Sequence, residues 1–476
     1  MTLKLHNTLS GRNEDFIPGG VQKENIADYP PVTIYSCGPT VYSYAHIGNF
    51  RTFVFNDLLN RYLKFRGFKV RHAMNITDVD DKTIAGAKNE GVTLKNYTEK
   101  YTDIFLEDLK SLNIEPVDYM PKATESIDAM IDILTRLKEK GIAYEKDGSL
   151  YFSIAKFPLY GKLSRLDQRE IKCGLRYDSD SYEKEDVRDF ALWKAAAPGE
   201  PSWETPFGNG RPGWHIECSA MIRKIFGSTI DIHTGGVDLI FPHHENEIAQ
   251  SEAAYGERFV RHWIHAEHLL VDGAKMSKSL GNFYTLRDLE GKGFSPRSIR
   301  YLLLSAHYKK QLNFTFDGLK QADAALERID NFIIRLNDVK NEGSGNPELE
   351  NIIQKFISKF TETMDDDLNT AGGLGVLFDF IHEVNSLISG EKLSNVDTQK
   401  IFNSLKRIDC VFGFIFNKST KQDNVDTNRI EQLIKERTDA KKGKNFKRAD
   451  EIRDMLLKEG IILEDSKDGT RWKTKK

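Results

Sequence analysis

One stretch near the N-terminus, residues 37–51, constrains the fold more than any other: Cys-Gly-Pro-Thr-Val-Tyr-Ser-Tyr-Ala-His-Ile-Gly-Asn-Phe-Arg. The β-branched and aromatic run 32–35 before it predicts a buried strand. Apolar residues at helical spacing over 50–63 predict a helix after it. Segment 46–49 therefore lies where a strand becomes a helix, and the backbone N–H groups of a helix start favour phosphate.

A second strand, predicted from Lys69, completes a strand–helix–strand order that favours a parallel sheet. Residues that serve binding and chemistry in such sheets lie at the carboxyl ends of the strands. Thr77 stands at such an end, together with Asp78, Asp80 and Asp81. We expect most of these acids to form a solvated loop or the N-terminal cap of the next helix.

Composition limits where a nucleic-acid surface could lie. The 476 residues include 68 Lys and Arg against 71 Asp and Glu, for a net charge of −3, so such a surface must be a local patch. The four cysteines are widely spaced, which indicates a reducing compartment instead of a disulfide framework. The sequence shows no apolar run of signal-peptide or membrane-spanning length, so we expect a cytoplasmic protein without a membrane partner.

Four side chains of the kinds that bind zinc stand out: Cys37, Cys218, His243 and Glu247. Pro242 followed by acidic residues predicts a helix start, which would place residues 243 and 247 on one helix face. Buried structural cysteines and a helix-capping glutamate are the alternative explanation for each residue taken singly.

A loop at 271–282 holds two lysines and small polar residues between glycines. Lys275 and Lys278 in such a mobile loop could close over a polyphosphate. A solvated basic turn is the alternative.

The C-terminal tail, 431–476, carries 14 Lys and Arg against 10 Asp and Glu, and sets aromatic residues among cations. This mixture suits phosphate contacts combined with stacking on unpaired bases. A solvated pair of charged helices is the alternative.

Taken together, these features resemble the class I aminoacyl-tRNA synthetases, and among them the cysteinyl-tRNA synthetases. His-Ile-Gly-Asn at 46–49 looks like the HIGH motif, and Lys-Met-Ser-Lys-Ser at 275–279 matches KMSKS. The stretches 37–42, 213–219 and 241–247 narrow the resemblance to the cysteine enzymes, and the similarity covers essentially the whole chain.

The resemblance implies an α/β fold: a Rossmann-like parallel-sheet catalytic core with an inserted subdomain, an α-helical bundle and a small C-terminal anticodon-binding domain. With the changes of composition along the chain, it predicts these segments: the first half of the core (1–118), the inserted connective subdomain (119–209), the second half of the core (210–268), the KMSKS-loop and stem-contact region (269–318), the helical bundle (319–416), a linker (417–427) and the anticodon-binding domain (428–476).

The resemblance also implies a ligase that activates L-cysteine with ATP and transfers it to the 3′-terminal adenosine of its cognate tRNA. Such an enzyme holds one zinc ion per chain, which binds the substrate thiolate, and uses Mg²⁺ with ATP. The implied residues are zinc ligands Cys37, Cys218, His243 and Glu247; catalytic residues His46, Asn49, Lys275 and Lys278; ATP-binding residues His46, Gly48, Asn49 and Lys278; and substrate-binding residues Gly38, Thr77, Trp214 and His233. Spacing alone does not decide whether His243 or His244 coordinates the zinc, and the resemblance favours His243.

Asn49 departs from the family pattern, because the last position of HIGH is histidine. Asparagine keeps a donor and an acceptor but cannot be cationic, so we expect altered binding strength and the same reaction. We expect a monomer, and Arg471 and Trp472 are our candidates for reading the anticodon.

Two other functions stay open at this point. Cysteine ligases of mycothiol-type biosynthesis, which join cysteine to an amino-sugar, resemble the catalytic half but lack the tail that this chain has from Asn428 onward. A non-catalytic, synthetase-like tRNA-binding protein is the other possibility, and Asn49 is the feature that leaves it open.

Overall fold

In the computed structural model, the strand predicted before residue 37 and the helix predicted after it both form. The structure describes residues 2–165, 189–277, 280–417, 427–466 and 469–474. The elements before residue 112 are β1 (Lys4–Asn7), β2 (Arg12–Asp15), β3 (Val32–Ser36), α1 (Ile47–Phe65), β4 (Val70–Met74), α2 (Asp81–Glu90) and α3 (Leu94–Ser111). Strands β3 and β4 pair in parallel around α1, which confirms the predicted strand–helix–strand unit.

The region that follows builds an antiparallel sheet of five strands in the order β5-β6-β7-β9-β8. Its predicted hairpin forms, with Asp147 and Gly148 both at positive φ in the turn. Most of the charged stretch 178–189 lies outside the described residues. The elements are α4 (Ile127–Glu139), β5 (Ala143–Lys146), β6 (Ser149–Phe152), β7 (Phe190–Ala195), β8 (Trp203–Thr205) and β9 (Gly208–Pro212).

The parallel sheet is then completed by α5 (Trp214–Phe226), β10 (Ile230–Gly236), α6 (Glu245–Tyr255) and β11 (Val260–Ala266). Its order is β11-β10-β3-β4, and every neighbouring pair is parallel. Apolar residues of α5 and α6 share one buried cluster with α4 and the antiparallel sheet, so the described part of the inserted region shares its core with helices of the parallel-sheet domain.

The predicted helix start at Pro242 is confirmed: Pro242, His243 and His244 have helical backbone angles and lead directly into α6, whose regular part begins at Glu245. A π-helical turn, Ile240–His244, precedes it, and the peptide bond between Phe241 and Pro242 is cis. Phe241 has extended backbone angles, as residues before proline commonly do, so the helix cannot run through this position.

A three-stranded sheet, ordered β13-β12-β14, follows the parallel sheet. It is formed by β12 (Leu269–Val271), β13 (Ala274–Lys275) and β14 (Leu312–Phe314), with α7 (Leu286–Gly291) and α8 (Pro296–Leu304) between the last two.

The predicted helical region consists of four helices: α9 (Phe316–Asn337), α10 (Leu349–Asp365), α11 (Thr370–Ser389) and α12 (Asn395–Phe412). The apolar stripe of α9 that the sequence spacing indicates is buried at all seven positions, as expected for a bundle core: Leu319, Ala322, Leu326, Ile329, Phe332, Ile333 and Leu336.

The chain divides into two compact units, one of Met1–Leu289 with Pro296–Asn417, and one of Glu290–Ser295 with Lys418–Lys476. The second unit holds α13 (Thr427–Lys442), α14 (Phe446–Lys458) and the hairpin β15 (Ile461–Ser466) and β16 (Gly469–Thr474), with a small apolar core. Almost all of the predicted linker, 417–427, lies outside the described residues. Among the residues that the structure describes, we find no helix with the length and hydropathy needed to span a bilayer.

Candidate active site

The four side chains singled out as zinc ligands come together in one buried cluster. Cys37 follows β3, Cys218 lies in α5, His243 lies in the π-helical turn and Glu247 lies in α6. One ligand atom of each lies within 4.8 Å of those of the other three, and all four residues are buried. Residues up to 210 positions apart in sequence thus meet near the carboxyl ends of β3 and β10.

The distances and electrostatics of this cluster fit a soft divalent cation. The two sulfur atoms, Cys37 Sγ and Cys218 Sγ, are 4.0 Å apart, and His243 Nε2 lies 3.1 Å from Glu247 Oε1. Burial lowers the pKa of His243 to about 3, so the ring is neutral at pH 7 and can offer a lone pair. Burial also raises the pKa of the Cys37 thiol and raises the pKa of Glu247 to about 8. A bound cation would favour the deprotonated forms of both groups.

An unused acceptor also supports metal binding here. Glu247 Oε1 is buried and makes no hydrogen bond within the described part of the chain. Two sulfurs, one imidazole nitrogen and one carboxylate oxygen are ligands that zinc accepts in tetrahedral sites. The residues present therefore fit a zinc ion.

A second histidine competes for the same place. His244 Nε2 lies 3.3 Å from Cys37 Sγ, and its Nδ1 lies 2.7 Å from His265 Nε2. Cys37, His233, His244 and Glu247 form another set whose ligand atoms all lie within 4.8 Å of one another. Geometry alone thus offers two overlapping ligand sets that share Cys37 and Glu247.

Two of the predicted substrate-binding residues border the cluster. The ring of Trp214 stacks on His243, with ring centres 4.2 Å apart. His233 is fully buried, lies 3.0 Å from Glu247 through its Nε2 and stacks on Trp263. Burial lowers the pKa of His233 to about 3, so this ring is neutral as well.

The other two predicted substrate-binding residues, Gly38 and Thr77, are joined through Asn75. The Gly38 N–H donates to Asn75 Oδ1 at 2.8 Å, and Asn75 Nδ2 donates to Thr77 Oγ1 at 3.1 Å. A Cβ at position 38 would lie 1.7 Å from the Asn75 carbonyl oxygen, so only glycine fits there. Thr77 Oγ1 in turn donates to Glu217 Oε2 at 3.1 Å.

The predicted phosphate-binding segment lies where the sequence places it, at the start of α1. His46 is the N-cap residue, and its Nδ1 accepts from the Asn49 N–H at 3.2 Å. Asn49 Oδ1 accepts from the His46 N–H at 3.0 Å, which completes a reciprocal capping box. Asn49 is exposed.

The lysine-containing loop lies beside this helix start. A Cβ on Gly48 would lie 2.9 Å from the Met276 methyl carbon, and the Ile47 N–H donates to the Tyr284 carbonyl at 3.0 Å. Lys275 is exposed at the end of β13, and its carbonyl accepts from Asn282. The prediction for Lys278 falls on a position outside the described residues.

The three acids that follow β4 do not behave alike. Asp80 caps α2, as predicted. Asp81 forms ion pairs with Lys194 and Arg211. The expectation of a solvated loop is wrong for Asp78, which is buried and accepts from the backbone and hydroxyl of Thr124.

Sequence reasoning missed two residues of the site, Asn75 and Glu217. It did consider His244, because the spacing left the choice between His243 and His244 open. For Asn75 and Glu217 spacing gives no signal, because their contacts join the end of β4 to α5.

Comparison with known proteins places this arrangement in a family. The family pattern described as "tRNA synthetases class I (C) catalytic domain" matches residues 24–324, and that of the "DALR domain" matches residues 359–417. The structure of Mycobacterium tuberculosis methionyl-tRNA synthetase in complex with methionyl-adenylate has the same fold, with a TM-score of 0.58 and 15% identity over 81% of this chain and 90% of that one.

Curated relatives match over nearly the full length. A cysteine–tRNA ligase from Leptospira interrogans is 48% identical over 484 residues, which is 99% of each chain. One from Chlamydia pneumoniae is 49% identical over 476 residues, or 99% of this chain and 98% of the relative. The chain therefore belongs to the cysteine–tRNA ligase family of class I aminoacyl-tRNA synthetases.

Proposed function

We propose that this protein activates L-cysteine with ATP to cysteinyl-adenylate and transfers the cysteinyl group to the 3′-terminal adenosine of its cognate tRNA. The proposal rests on the buried cluster of Cys37, Cys218, His243 and Glu247, in which Cys37 follows the same strand, β3, that leads into the capped start of α1. The cluster suits a thiol-bearing amino acid, and the helix start suits a phosphate chain. The family membership of the whole chain supports both steps.

Cys37, Cys218, His243 and Glu247 would hold one zinc ion per chain. When bound there, zinc favours the thiolate form of the substrate and holds it, whereas a serine hydroxyl is a much poorer ligand. A pocket that separated cysteine from serine by shape alone would discriminate only about 10- to 200-fold. Gly38, Thr77, Trp214 and His233 would line the amino-acid pocket, with Trp214 stacked on the ligand His243.

The helix start and the lysine loop would bind ATP with Mg²⁺. His46, Gly48 and Asn49 bring the first N–H groups of α1 and two polar side chains to the phosphates. Lys275 and Lys278 would offset the negative charge that develops when the cysteine carboxylate attacks the α-phosphorus and pyrophosphate leaves.

The C-terminal unit would read the anticodon. Phe446, between Lys444 and Lys447, is 63% exposed and is well suited to stack on an unpaired base. Trp472, a candidate from the sequence, packs against the small apolar core of this unit, and the side chain of Arg471 lies outside the described part. Phe446 is therefore the better stacking candidate.

Charging of total tRNA with radiolabelled cysteine tests the whole proposal, with serine in parallel and ATP–pyrophosphate exchange measured without tRNA. Charging with cysteine and not with serine is the expected result. Adenylation without charging would favour an amino-sugar ligase, and the absence of both activities would favour a binding protein.

Removal of the C-terminal unit separates the two steps. A variant that ends at Asn417 should keep cysteine-dependent pyrophosphate exchange and lose most tRNA charging. In the full chain, Phe446→Ala should lower charging by about tenfold through lost stacking, whereas Leu457→Ala, at another exposed apolar position of α14, should not. Full charging by the truncated variant would contradict this assignment of the unit.

A further inference from the structure

Two exposed tyrosines lie in the loop between β3 and α1, close to the predicted phosphate-binding segment. Tyr42 is 37% exposed and Tyr44 is 42% exposed. Of the four aromatic side chains that are exposed in the part of the chain that the structure describes, two therefore stand within four residues of His46, the N-cap of α1. Neither the buried cluster nor the capping box uses these two rings, so a role in binding is open to them.

A third tyrosine, from α3, extends this surface. The ring of Tyr101 meets the ring of Tyr44 edge to face, with ring centres 5.8 Å apart, and we call Tyr42, Tyr44 and Tyr101 the tyrosine patch. The loop is anchored to α3, because the buried Tyr97 donates through its hydroxyl to the Tyr42 carbonyl at 2.7 Å. An anchored loop pays less to become ordered when a ligand binds.

Cationic groups accompany the patch. Each ring has one of them 4.9 to 5.4 Å from its centre: Lys82 at Tyr42, Arg287 at Tyr44 and Lys100 at Tyr101. Lys100 and Arg287 also form ion pairs with acids of α2 and α3. Lys82 is exposed and forms no ion pair with a described residue, so its charge is available to an anionic ligand.

This combination indicates unpaired nucleotides as the ligand. Every base has a face that can stack on an aromatic ring, and every phosphate can pair with a cation. In the proposed function, on which this inference rests, the 3′-terminal adenosine of the tRNA must reach an adenylate formed at the start of α1. Tyr44 is two residues from His46, so their Cα atoms are at most about 7 Å apart. The nucleotides that precede the adenosine must therefore pass close to the patch.

We propose that the tyrosine patch is the docking surface for the unpaired 3′ end of the tRNA. Tyr42 and Tyr44 stack on the nucleotides that precede the terminal adenosine, and Lys82 pairs with their phosphates. The patch then acts in the transfer step and not in the formation of the adenylate. This separation of the two steps can be measured.

Binding of two RNAs to the full chain tests the proposal: the cognate tRNA, and the same tRNA trimmed of its unpaired 3′ nucleotides. The intact tRNA should bind the unmodified protein more tightly than the trimmed one. Tyr44→Ala should weaken the intact tRNA by about 5- to 100-fold through lost stacking and leave the trimmed tRNA unchanged. Tyr44→Phe keeps the ring and should bind both RNAs as the unmodified protein does.

Kinetics give an independent measurement. Tyr44→Ala should raise KM for tRNA in charging and leave pyrophosphate exchange without tRNA unchanged. Tyr119→Ala is the matched control, because Tyr119 is also 37% exposed and has a cation, Arg71, 5.2 Å from its ring centre, but it pairs with the outer side of the edge strand β4. This control should change neither assay.

The salt dependence of binding tests the lysine. Lys82→Gln should make the slope of log affinity against log salt concentration shallower by about 0.7 for the intact tRNA, which is the effect of one phosphate contact to a single strand. The slope for the trimmed tRNA should not change. Lys88→Gln, at another exposed lysine of α2, is the control and should leave both slopes unchanged.

Three results would overturn the proposal and leave the proposed function standing. They are equal weakening of both RNAs by Tyr44→Ala, no weakening of either, and a raised KM for ATP in pyrophosphate exchange, which would assign the rings to the adenine of ATP. If the unmodified protein activates no cysteine and charges no tRNA, the proposed function itself fails, and this inference fails with it.

Discussion

The two halves of the candidate active site are built in opposite ways. The cysteine–histidine–glutamate cluster is buried, and its four members come from three widely separated places in the sequence: position 37, position 218 and the stretch 243–247. The helix start and the lysine loop are open to solvent, with Asn49 and Lys275 exposed, and each uses a short continuous stretch. The contrast follows what each half must recognise.

Selecting one small amino acid needs fixed donors in a dry setting, because only a few atoms distinguish the competing substrates. A triphosphate carries its own strong charge and can be held by backbone N–H groups and lysines that remain hydrated. We therefore expect substitutions in the buried half to abolish metal binding and substrate choice, and those in the exposed half to lower the rate of adenylation with the metal in place.

The largest effect should come from Cys218→Ser. A serine hydroxyl does not replace a thiolate on zinc, so zinc content should fall from near one equivalent per chain to almost none, and cysteine activation with it. Metal analysis after desalting and pyrophosphate exchange measure both. Cys410→Ser, at an exposed free cysteine, is the control and should change neither. Zinc retained by Cys218→Ser would refute the ligand assignment.

Next in size is the difference between the two neighbouring histidines. His243→Gln should lose the metal, whereas His244→Gln, which removes the contact with His265, should weaken metal binding by about 10- to 100-fold. Competition with a zinc chelator gives both affinities. The reverse order would assign the metal to the alternative set that contains His244.

A smaller effect is expected for the loop. Lys278→Ala should lower the rate of pyrophosphate exchange by about 10²- to 10³-fold, because the variant lacks the positive charge that stabilises the transition state. Zinc content should stay near one equivalent. Lys320→Ala, at an exposed site on α9, is the matched control and should be neutral. Zinc loss in Lys278→Ala would contradict the claim that the exposed half does not contribute to metal binding.

The smallest effect should come from the helix cap. Asn49→Ala removes one side of the capping box, which costs about 1 kcal/mol, or about a fivefold loss in ATP affinity if the cap orients the site. Asn49→His, which restores an acceptor, should recover most of it. Binding of ATP by calorimetry measures both variants, and an unchanged affinity in Asn49→Ala would limit the cap to a structural role.

Much of the fold follows from local pattern. The apolar stripe of α9, from Leu319 to Leu336, is buried at every predicted position. Apolar residues that recur every 3.6 positions lie on one face of a helix, and that face packs against the core. The helix start at 46–49 follows equally well, since strand and helix patterns meet there. In both cases the deciding information lies within one short stretch.

The hydrogen bonds between side chains of the site could not be predicted in this way. The contact between Thr77 and Glu217 joins residues 140 positions apart, and no periodicity encodes it. Asp78 was misjudged because its burial depends on Thr124, a residue of another segment. Tertiary contacts decided each of these positions.

The capping box at the start of α1 also determines where His46 carries its proton. A neutral imidazole has one protonated and one unprotonated nitrogen, and Nδ1 here accepts the Asn49 N–H. The neutral ring must therefore be the Nε2–H tautomer, and a proton added to Nδ1 would break the cap. The hydrogen bond that caps the helix thus leaves the Nε2–H of His46 as a donor. An anionic ligand requires a donor of this kind.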